Sequence, residues 1–148
     1  MYSVLAPRQM RQLLSSQPVA AYPGMCVSGE PLIAVIDDDE PFRTALVEAL
    51  CLLGYHARGF ASAEEFLTAS GESSCDCVIT DIHMPGMSGL DLQRQLMASD
   101  WQVPVIMITA RGEPGLEARV AASGAICLLK KPFGADALVG CLEKALEI

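Results

Sequence analysis

The chain has 148 residues, of which 51% are hydrophobic and 19% charged, enough for one globular domain with a packed core. Its net charge of -8 argues against nonspecific binding to nucleic acid or to anionic membranes, because Lys and Arg drive both kinds of contact. No apolar stretch approaches the roughly eighteen residues that cross a bilayer, and no signal-peptide pattern is present, so we expect a soluble cytoplasmic protein.

Residues 1–30 differ in composition from the rest of the chain. They contain three prolines, and no acidic residue precedes Glu30. Residues 4–14 have a pattern that allows a short helix, and the leader's two arginines resemble a transit peptide only weakly. We therefore predict a flexible N-terminal extension at 1–30 and a globular domain at 31–148.

The six cysteines are scattered, and several lie inside apolar runs. This distribution favours reduced thiols of a cytosolic protein over a disulfide framework. Cys75, Cys77 and His83 suggest a zinc site, but no second Cys/His pair at a suitable spacing completes it.

The first half of the domain alternates strand and helix patterns. The run LIAVI at 32–36 indicates a fully buried strand, and apolar residues at helical spacing follow over 42–53 until Gly54 ends that helix. A weaker strand is predicted at 55–60. Ser62 to Glu65 has the pattern of a capping box, which predicts the start of a short helix.

The second half continues the alternation with strands and helices of similar length. Ser88 is the predicted N-cap of the third helix, with Asp91 favourably placed in its first turn. The predicted strands are 77–80, 103–108 and 125–129, and the predicted helices are 90–97, 116–122 and 136–146. Five strands alternating with five helices predict an α/β fold, a doubly wound five-stranded parallel sheet in the flavodoxin-like order 2-1-3-4-5.

Polar groups follow the apolar runs at the predicted carboxyl ends of four strands: Asp37 and Asp38, then Asp81, Thr109 and Lys131. Open α/β sheets bind ligands at this edge. Crowded carboxylates repel one another, which raises their pKa values or requires a cation, and Mg²⁺ prefers such oxygen ligands. Taken singly, each residue also has an ordinary explanation as a cap, a turn carboxylate, a strand threonine or a solvated lysine.

The strings LIAVIDDDEPFR, VITDIHMPGMSGLDL, VPVIMITA and GAICLLKKPF together resemble the receiver domain of two-component response regulators, in the CheY-like superfamily and particularly its FixJ-like subgroup. The resemblance covers about residues 31–148. It implies that Asp81 accepts a phosphoryl group from a sensor histidine kinase, with Mg²⁺ as cofactor and with catalysis limited to self-phosphorylation and self-dephosphorylation.

The resemblance also implies a metal-ligand set. Asp38, Asp81 and the backbone carbonyl of His83 would bind Mg²⁺ directly, and Asp37 would act through water. The side chain of His83 is not expected to be catalytic.

Further roles follow from the same resemblance. Lys131, whose peptide bond to Pro132 would be cis, would neutralise phosphoryl charge. Thr109 would hydrogen-bond the phosphoryl group, with small Ala110 allowing its approach. Leu128 replaces the Tyr or Phe that receivers commonly have three residues before the lysine. Output is expected through the fourth helix, fifth strand and fifth helix, with a possible phosphorylation-dependent homodimer and no direct contact with nucleic acid.

Three alternatives remain at this point. One is a receiver-shaped scaffold that is never phosphorylated. A haloacid-dehalogenase-type phosphatase would place an Asp-x-Asp motif first, whereas here the acidic pair precedes Asp81. A flavodoxin-like electron carrier would need a glycine- and hydroxyl-rich phosphate loop in place of residues 37–39. FixJ-like regulators usually continue into a DNA-binding domain, so we expect either a stand-alone receiver or the receiver part of a longer regulator.

Overall fold

The computed structural model describes residues 30–69 and 75–147, so residues 1–29 of the predicted extension, with the helix predicted at 4–14 and Cys26, lie outside the described residues. The strands are β1 (Leu32–Ile36), β2 (His56–Phe60), β3 (Cys77–Asp81), β4 (Val105–Thr109) and β5 (Cys127–Lys130). The helices are α1 (Glu40–Leu52), α2 (Ala63–Ala69), α3 (Gly89–Ala98), α4 (Leu116–Ala122) and α5 (Ala135–Leu146).

The five strands form one parallel sheet in the order β2-β1-β3-β4-β5, which confirms the predicted fold class. β1 and β3 are neighbours at its centre. Their register places Ile36 opposite Thr80, so the residues that follow, Asp37 and Asp81, lie at the same edge. Thr109 of β4 pairs in register with Lys130 of β5, which brings the last two strand ends to that edge as well.

Each face of the sheet is covered by helices. Apolar residues of α2, α3 and α4, including Phe66, Leu92 and Val120, pack on one face. On the other face α1 and α5 contribute Leu50 and Leu142, both fully buried. Burying a side chain of this size stabilises the fold by roughly 1.5–3 kcal/mol, so the two layers hold the central strands firmly.

Polar caps decide where two helices begin, one earlier than predicted and the other directly after its predicted N-cap. α1 begins at Glu40 because Asp39 is its N-cap and accepts a hydrogen bond from Phe42 N–H. Pro41 lies in the first turn and has no backbone N–H. This costs the helix little, because the first N–H groups of a helix have no partner within it. α3 begins after Ser88, whose side chain and that of Asp91 form a reciprocal capping box.

The capping box predicted at Ser62 is only half formed. Ser62 Oγ accepts from Glu65 N–H at 3.0 Å, but the Glu65 carboxylate accepts from Ala61 N–H at 3.1 Å. β4 starts two residues later than predicted, directly after Pro104, which has no N–H to donate to a ladder.

Five of the six cysteines lie in the described part of the chain, and none of these five forms a disulfide there. Cys75 and Cys77 are buried, whereas Cys51 is exposed at the end of α1 rather than in the core. Burial, with a smaller contribution from the charge of Asp76, raises the pKa of Cys75 to about 12. Among the described residues, no helix combines the length and apolar character needed to span a bilayer.

Candidate functional site

Three carboxylates meet at the carboxyl edge of the central strands. Asp37 follows β1, Asp38 is next in the chain, and Asp81 ends β3. One oxygen from each lies within 4.8 Å of the other two, and no other group of three potential metal-ligating side chains is found within residues 30–69 and 75–147. Asp37 and Asp81 are buried and Asp38 is exposed, so the cluster is open to solvent on one side.

Lys131 completes the group from the end of β5. Its Nζ lies 2.8 Å from Asp37 Oδ2 and 3.4 Å from Asp81 Oδ2. The Lys131–Pro132 peptide is cis, as the resemblance predicts. Burial alone would lower the pKa of the ammonium, but hydrogen bonds and Coulomb attraction from Asp37 and Asp81 together raise it. Lys131 is therefore a charged donor facing both buried carboxylates.

The surroundings of Asp81 disfavour the ionised form of its carboxyl. Burial raises the pKa of its carboxyl above the usual range, and the negative charge of Asp37 raises it further. Lys131 and a hydrogen bond from His83 N–H oppose the shift without cancelling it. Additional positive charge near Asp81 would stabilise its ionised form.

Backbone and side-chain hydrogen bonds fix the acidic loop after β1. Asp37 Oδ1 accepts from Asp39 N–H at 2.9 Å, and the guanidinium of Arg43 donates to the Asp37 carbonyl at 2.7 Å. A Cβ at Gly59 on β2 would crowd the Arg43 side chain. The absence of a side chain at this position therefore leaves room for Arg43 beside the loop.

Thr109 lies at the predicted sheet edge and is fully buried. Its hydroxyl donates to the carbonyl of Arg111 at 2.7 Å and accepts from Arg111 N–H at 3.1 Å, so both partners belong to the β4–α4 loop. Ala110 is exposed beside it. Leu128 of β5 lies opposite Met107 of β4. It is half-buried and packs against the core under α4.

The loop between β3 and α3 is held by two residues that the sequence did not single out. Glu64 of α2 accepts a hydrogen bond from Met87 N–H at 2.7 Å, and its carboxylate also borders Gly86, whose φ is 78°. Gly89, the first residue of α3, lies so close to the Asp81 carbonyl that a Cβ would overlap it. No local pattern predicts the Glu64 contact, which spans 23 residues.

Phe42 is a third residue that sequence reasoning left among the core positions of α1. The Lys131 ammonium lies over the Phe42 ring, 4.0 Å from its centroid. The ring of Phe133 meets Phe42 edge-on, with 6.0 Å between centroids. Phe42 thus contacts the candidate site as well as the core.

An open groove of about 470 Å³ borders the acids, lined by Asp38, His83, Arg111 and Arg119 among others. His83 Nε2 lies 3.5 Å from Glu113 Oε1, so the His83 side chain faces the β4–α4 loop. A slightly larger depression of about 520 Å³ lies between α3 and α4, but its lining contains none of the clustered carboxylates. The groove of about 470 Å³, which Asp38 lines, is therefore the candidate binding site.

The donor set suits Mg²⁺ by its chemistry. Hard oxygen ligands with one solvent-facing carboxylate match a small divalent ion that keeps several waters. A divalent cation would also supply the positive charge that Asp81 lacks, since burial and Asp37 both disfavour its ionised form. No sulfur or imidazole nitrogen belongs to the described cluster.

Residues 33–143 match the family model described as response regulator receiver domain. The chain is similar to the response regulator protein TmoT of Ectopseudomonas mendocina, with 36% identity over 119 residues that cover 80% of this chain and 54% of TmoT. It is also similar to the transcriptional regulatory protein FixJ of Bradyrhizobium diazoefficiens, with 34% identity over 78% of this chain and 56% of FixJ. The chain thus spans about half the length of these relatives.

The fold is similar to the crystal structure of FixJ-N. The TM-score is 0.74 and the identity 30%, over 80% of this chain and 94% of that chain. The two folds are therefore alike over nearly the whole of FixJ-N.

Proposed function

This chain belongs to the response regulator receiver domain family of two-component signalling, and on that premise we propose that residues 31–148 form a phosphorylatable receiver. Asp81 accepts a phosphoryl group from a sensor histidine kinase in a Mg²⁺-dependent reaction. The observation that carries the proposal is the meeting of Asp37, Asp38 and Asp81 with the ammonium of Lys131.

Asp38, Asp81 and the backbone carbonyl of His83 would hold Mg²⁺, and Asp37 would assist through water. When bound, Mg²⁺ neutralises charge on the phosphoryl oxygens and on the crowded acids. The exposed position of Asp38 supports a direct metal contact from the solvent side. Asp37 is already engaged by Lys131 and by Asp39 N–H, which supports a more distant role toward the metal.

The transfer itself needs a nucleophile, a charge partner and a departing group. An Asp81 carboxylate oxygen attacks phosphorus, an O–P bond forms, and the N–P bond to the kinase histidine breaks with its electron pair staying on the imidazole. Lys131, now 3.4 Å from Asp81, follows the charge onto the phosphoryl oxygens. Thr109 exchanges its hydrogen bonds with Arg111 for one to the phosphoryl group, and exposed Ala110 leaves the space open.

The signal passes from this site through α4, β5 and α5. We include in the proposal a weak homodimer through that face on phosphorylation, by analogy with the family. Leu128 reports the movement of Thr109 by repacking against its core neighbours, because no aromatic ring is present there to exchange rotamers. Any DNA-binding output belongs to a domain other than this one.

Intact mass spectrometry tests the function. After incubation with Mg²⁺ and acetyl phosphate, the protein should gain the mass of one phosphoryl group, and the gain should disappear with EDTA or in Asp81→Asn. Asp100→Asn, an exposed carboxylate outside the cluster, is the matched control and should still gain it. A protein that gains no phosphoryl group from acetyl phosphate or from a phosphorylated histidine kinase domain is a receiver-shaped scaffold instead.

A further inference from the structure

We propose that Phe42 is a positioning residue for Lys131, and that the face of its ring holds the ammonium beside Asp37 and Asp81 before a phosphoryl group arrives. The inference rests on the proposed function of Asp81 and Lys131. It adds an aromatic side chain of α1 to a site otherwise made at the ends of strands.

The contact geometry supports an attractive interaction. A cation within about 6 Å of a ring centroid is attracted by the negative face of the ring, and the distance from Lys131 Nζ to the Phe42 centroid is 4.0 Å. The Lys131 side chain is only 15% exposed, so water screens the interaction little. The ammonium therefore has three partners: Asp37, Asp81 and the ring.

Phe42 is itself fixed from two directions. Its N–H donates to Asp39 Oδ1 at the start of α1, and its ring packs edge-on to Phe133 at an interplanar angle of 79°. Phe133 follows Lys131 by two residues, so the segment after β5 supplies both the ammonium and a support for the ring. The ring needs little further ordering to receive the lysine.

A ring has an advantage over another acid at this position. A third carboxylate beside Lys131 would also attract the ammonium, but it would add repulsion to a group of acids in which the pKa of Asp81 is already raised. The uncharged ring attracts the ammonium without that penalty. It leaves the lysine free to shift toward new charge on Asp81.

A first experiment measures the contact in the unmodified protein. The ε-methylene protons of Lys131 should show an upfield ring-current shift in NMR spectra, and Phe42→Leu should remove it while the backbone shifts of the sheet stay in place. Lys130, whose ammonium instead pairs with Glu117, should show no such shift. Lys131 protons at ordinary shifts in the unsubstituted protein would overturn the contact itself.

A second experiment separates the ring's electrostatics from its packing. Phe42 is replaced in turn by mono-, di- and trifluorophenylalanine, which keep the shape and weaken the negative face, and the rate of Asp81 phosphorylation by acetyl phosphate is measured. The logarithm of the rate should fall steadily along the series, by about three- to tenfold in total. The same series at Phe66, buried under the opposite face of the sheet, should leave the rate unchanged.

The outcomes are distinct. A flat series at Phe42, with normal phosphorylation and unchanged thermal stability, overturns the positioning role and leaves Phe42 a packing residue. If the unsubstituted protein is not phosphorylated at all, the proposed function fails and the role toward Asp81 fails with it. The NMR experiment then still decides whether the ring holds the ammonium.

Discussion

Lys131 Nζ and Asp37 Oδ2 lie 2.8 Å apart although 94 residues separate them in the chain. The contact joins the end of β1 to the end of β5, past the carboxyl ends of β3 and β4 that lie between them in the sheet. Asp37 is fully buried, so this ammonium and the Asp39 N–H offset much of the cost of holding its charge away from water. Every change at the site therefore acts on a coupled set of charges.

Mg²⁺ should stabilise the unmodified protein. A ligand that binds only the folded state adds RT ln(1 + [L]/Kd), about 1.4 kcal/mol at ten times Kd, and it relieves repulsion among the three acids. Thermal unfolding at increasing Mg²⁺ measures the effect. Asp38→Asn should reduce the response and Asp100→Asn should retain it, whereas a melting temperature indifferent to millimolar Mg²⁺ would contradict the assigned site.

Lys131→Ala should lower stability in the absence of Mg²⁺ by about 1–3 kcal/mol, because buried Asp37 loses its charged partner. Mg²⁺ should restore a larger share of stability in this variant than in the unsubstituted protein. Urea unfolding with and without Mg²⁺ measures both quantities.

Lys130→Ala is the matched control for the neighbouring lysine. Lys130 is exposed and pairs with exposed Glu117, a kind of contact that adds little to stability. Equal losses from the two substitutions would mean that the buried charges do not depend on Lys131.

Gly89→Ala should destabilise the fold by about 1–3 kcal/mol, because the new Cβ overlaps the Asp81 carbonyl and forces the backbone apart. It should also slow phosphorylation, since it displaces the residue that carries the acceptor. Gly140→Ala in α5 is the control: nothing lies within 4 Å of its Cβ, and the helix interior favours alanine. Two variants of equal stability would refute the close approach at Gly89.

Glu64→Ala should free the amide of Met87. The loss of a hydrogen bond to a carboxylate should speed hydrogen exchange at that amide by about five- to tenfold, with Glu64→Gln between the two extremes. Glu65→Ala provides the reciprocal control, because it should speed exchange at Ala61 and leave Met87 unchanged. If exchange at the Met87 amide is unchanged in Glu64→Ala, Glu64 does not hold the β3–α3 loop.

Beryllofluoride, a stable mimic of the phosphoryl group, should produce a weak dimer through α4, β5 and α5. Moving a two-state equilibrium from 1:99 to 99:1 takes about 5.5 kcal/mol of differential stabilisation, and Leu128 offers no aromatic ring to lock inward. We therefore expect partial association in sedimentation experiments and a larger dimer fraction in Leu128→Tyr. A monomer whose NMR shifts stay beside Asp81 would refute this output.

The strands at the centre of the sheet were predictable to within a residue, because β1 and β3 are continuous apolar runs buried on both faces. Because the carboxyl ends of parallel strands lie at one edge of a sheet, Asp37, Asp81 and Lys131 were predicted to lie at the same edge. The first and last residues of a helix or strand were less predictable where a cap or a proline sets them. Asp39 sets the start of α1, and a proline precedes the start of β4.

The contacts of Glu64 and Phe42 could not be predicted from the sequence. Each depends on how one face of a helix packs against a loop that is distant in the sequence. Helical periodicity predicts which residues share that face, but it does not predict which loop they contact. Phe42 matches the apolar pattern of α1 equally well as a plain core residue. Three-dimensional packing alone distinguishes the two roles.

Because β5 lies at the border of the sheet, the strand that carries Lys131 is less stable against local unfolding than the strands that carry the metal-binding acids. The metal-binding acids follow β1 and β3, each flanked by a strand on both sides, whereas Lys131 follows a four-residue strand with one paired neighbour in the described sheet. Local unfolding begins where pairing and burial are least. Brief opening of this border would withdraw the counter-charge while the acids stay assembled, so the lifetime of a modified state would depend on how often the last strand opens.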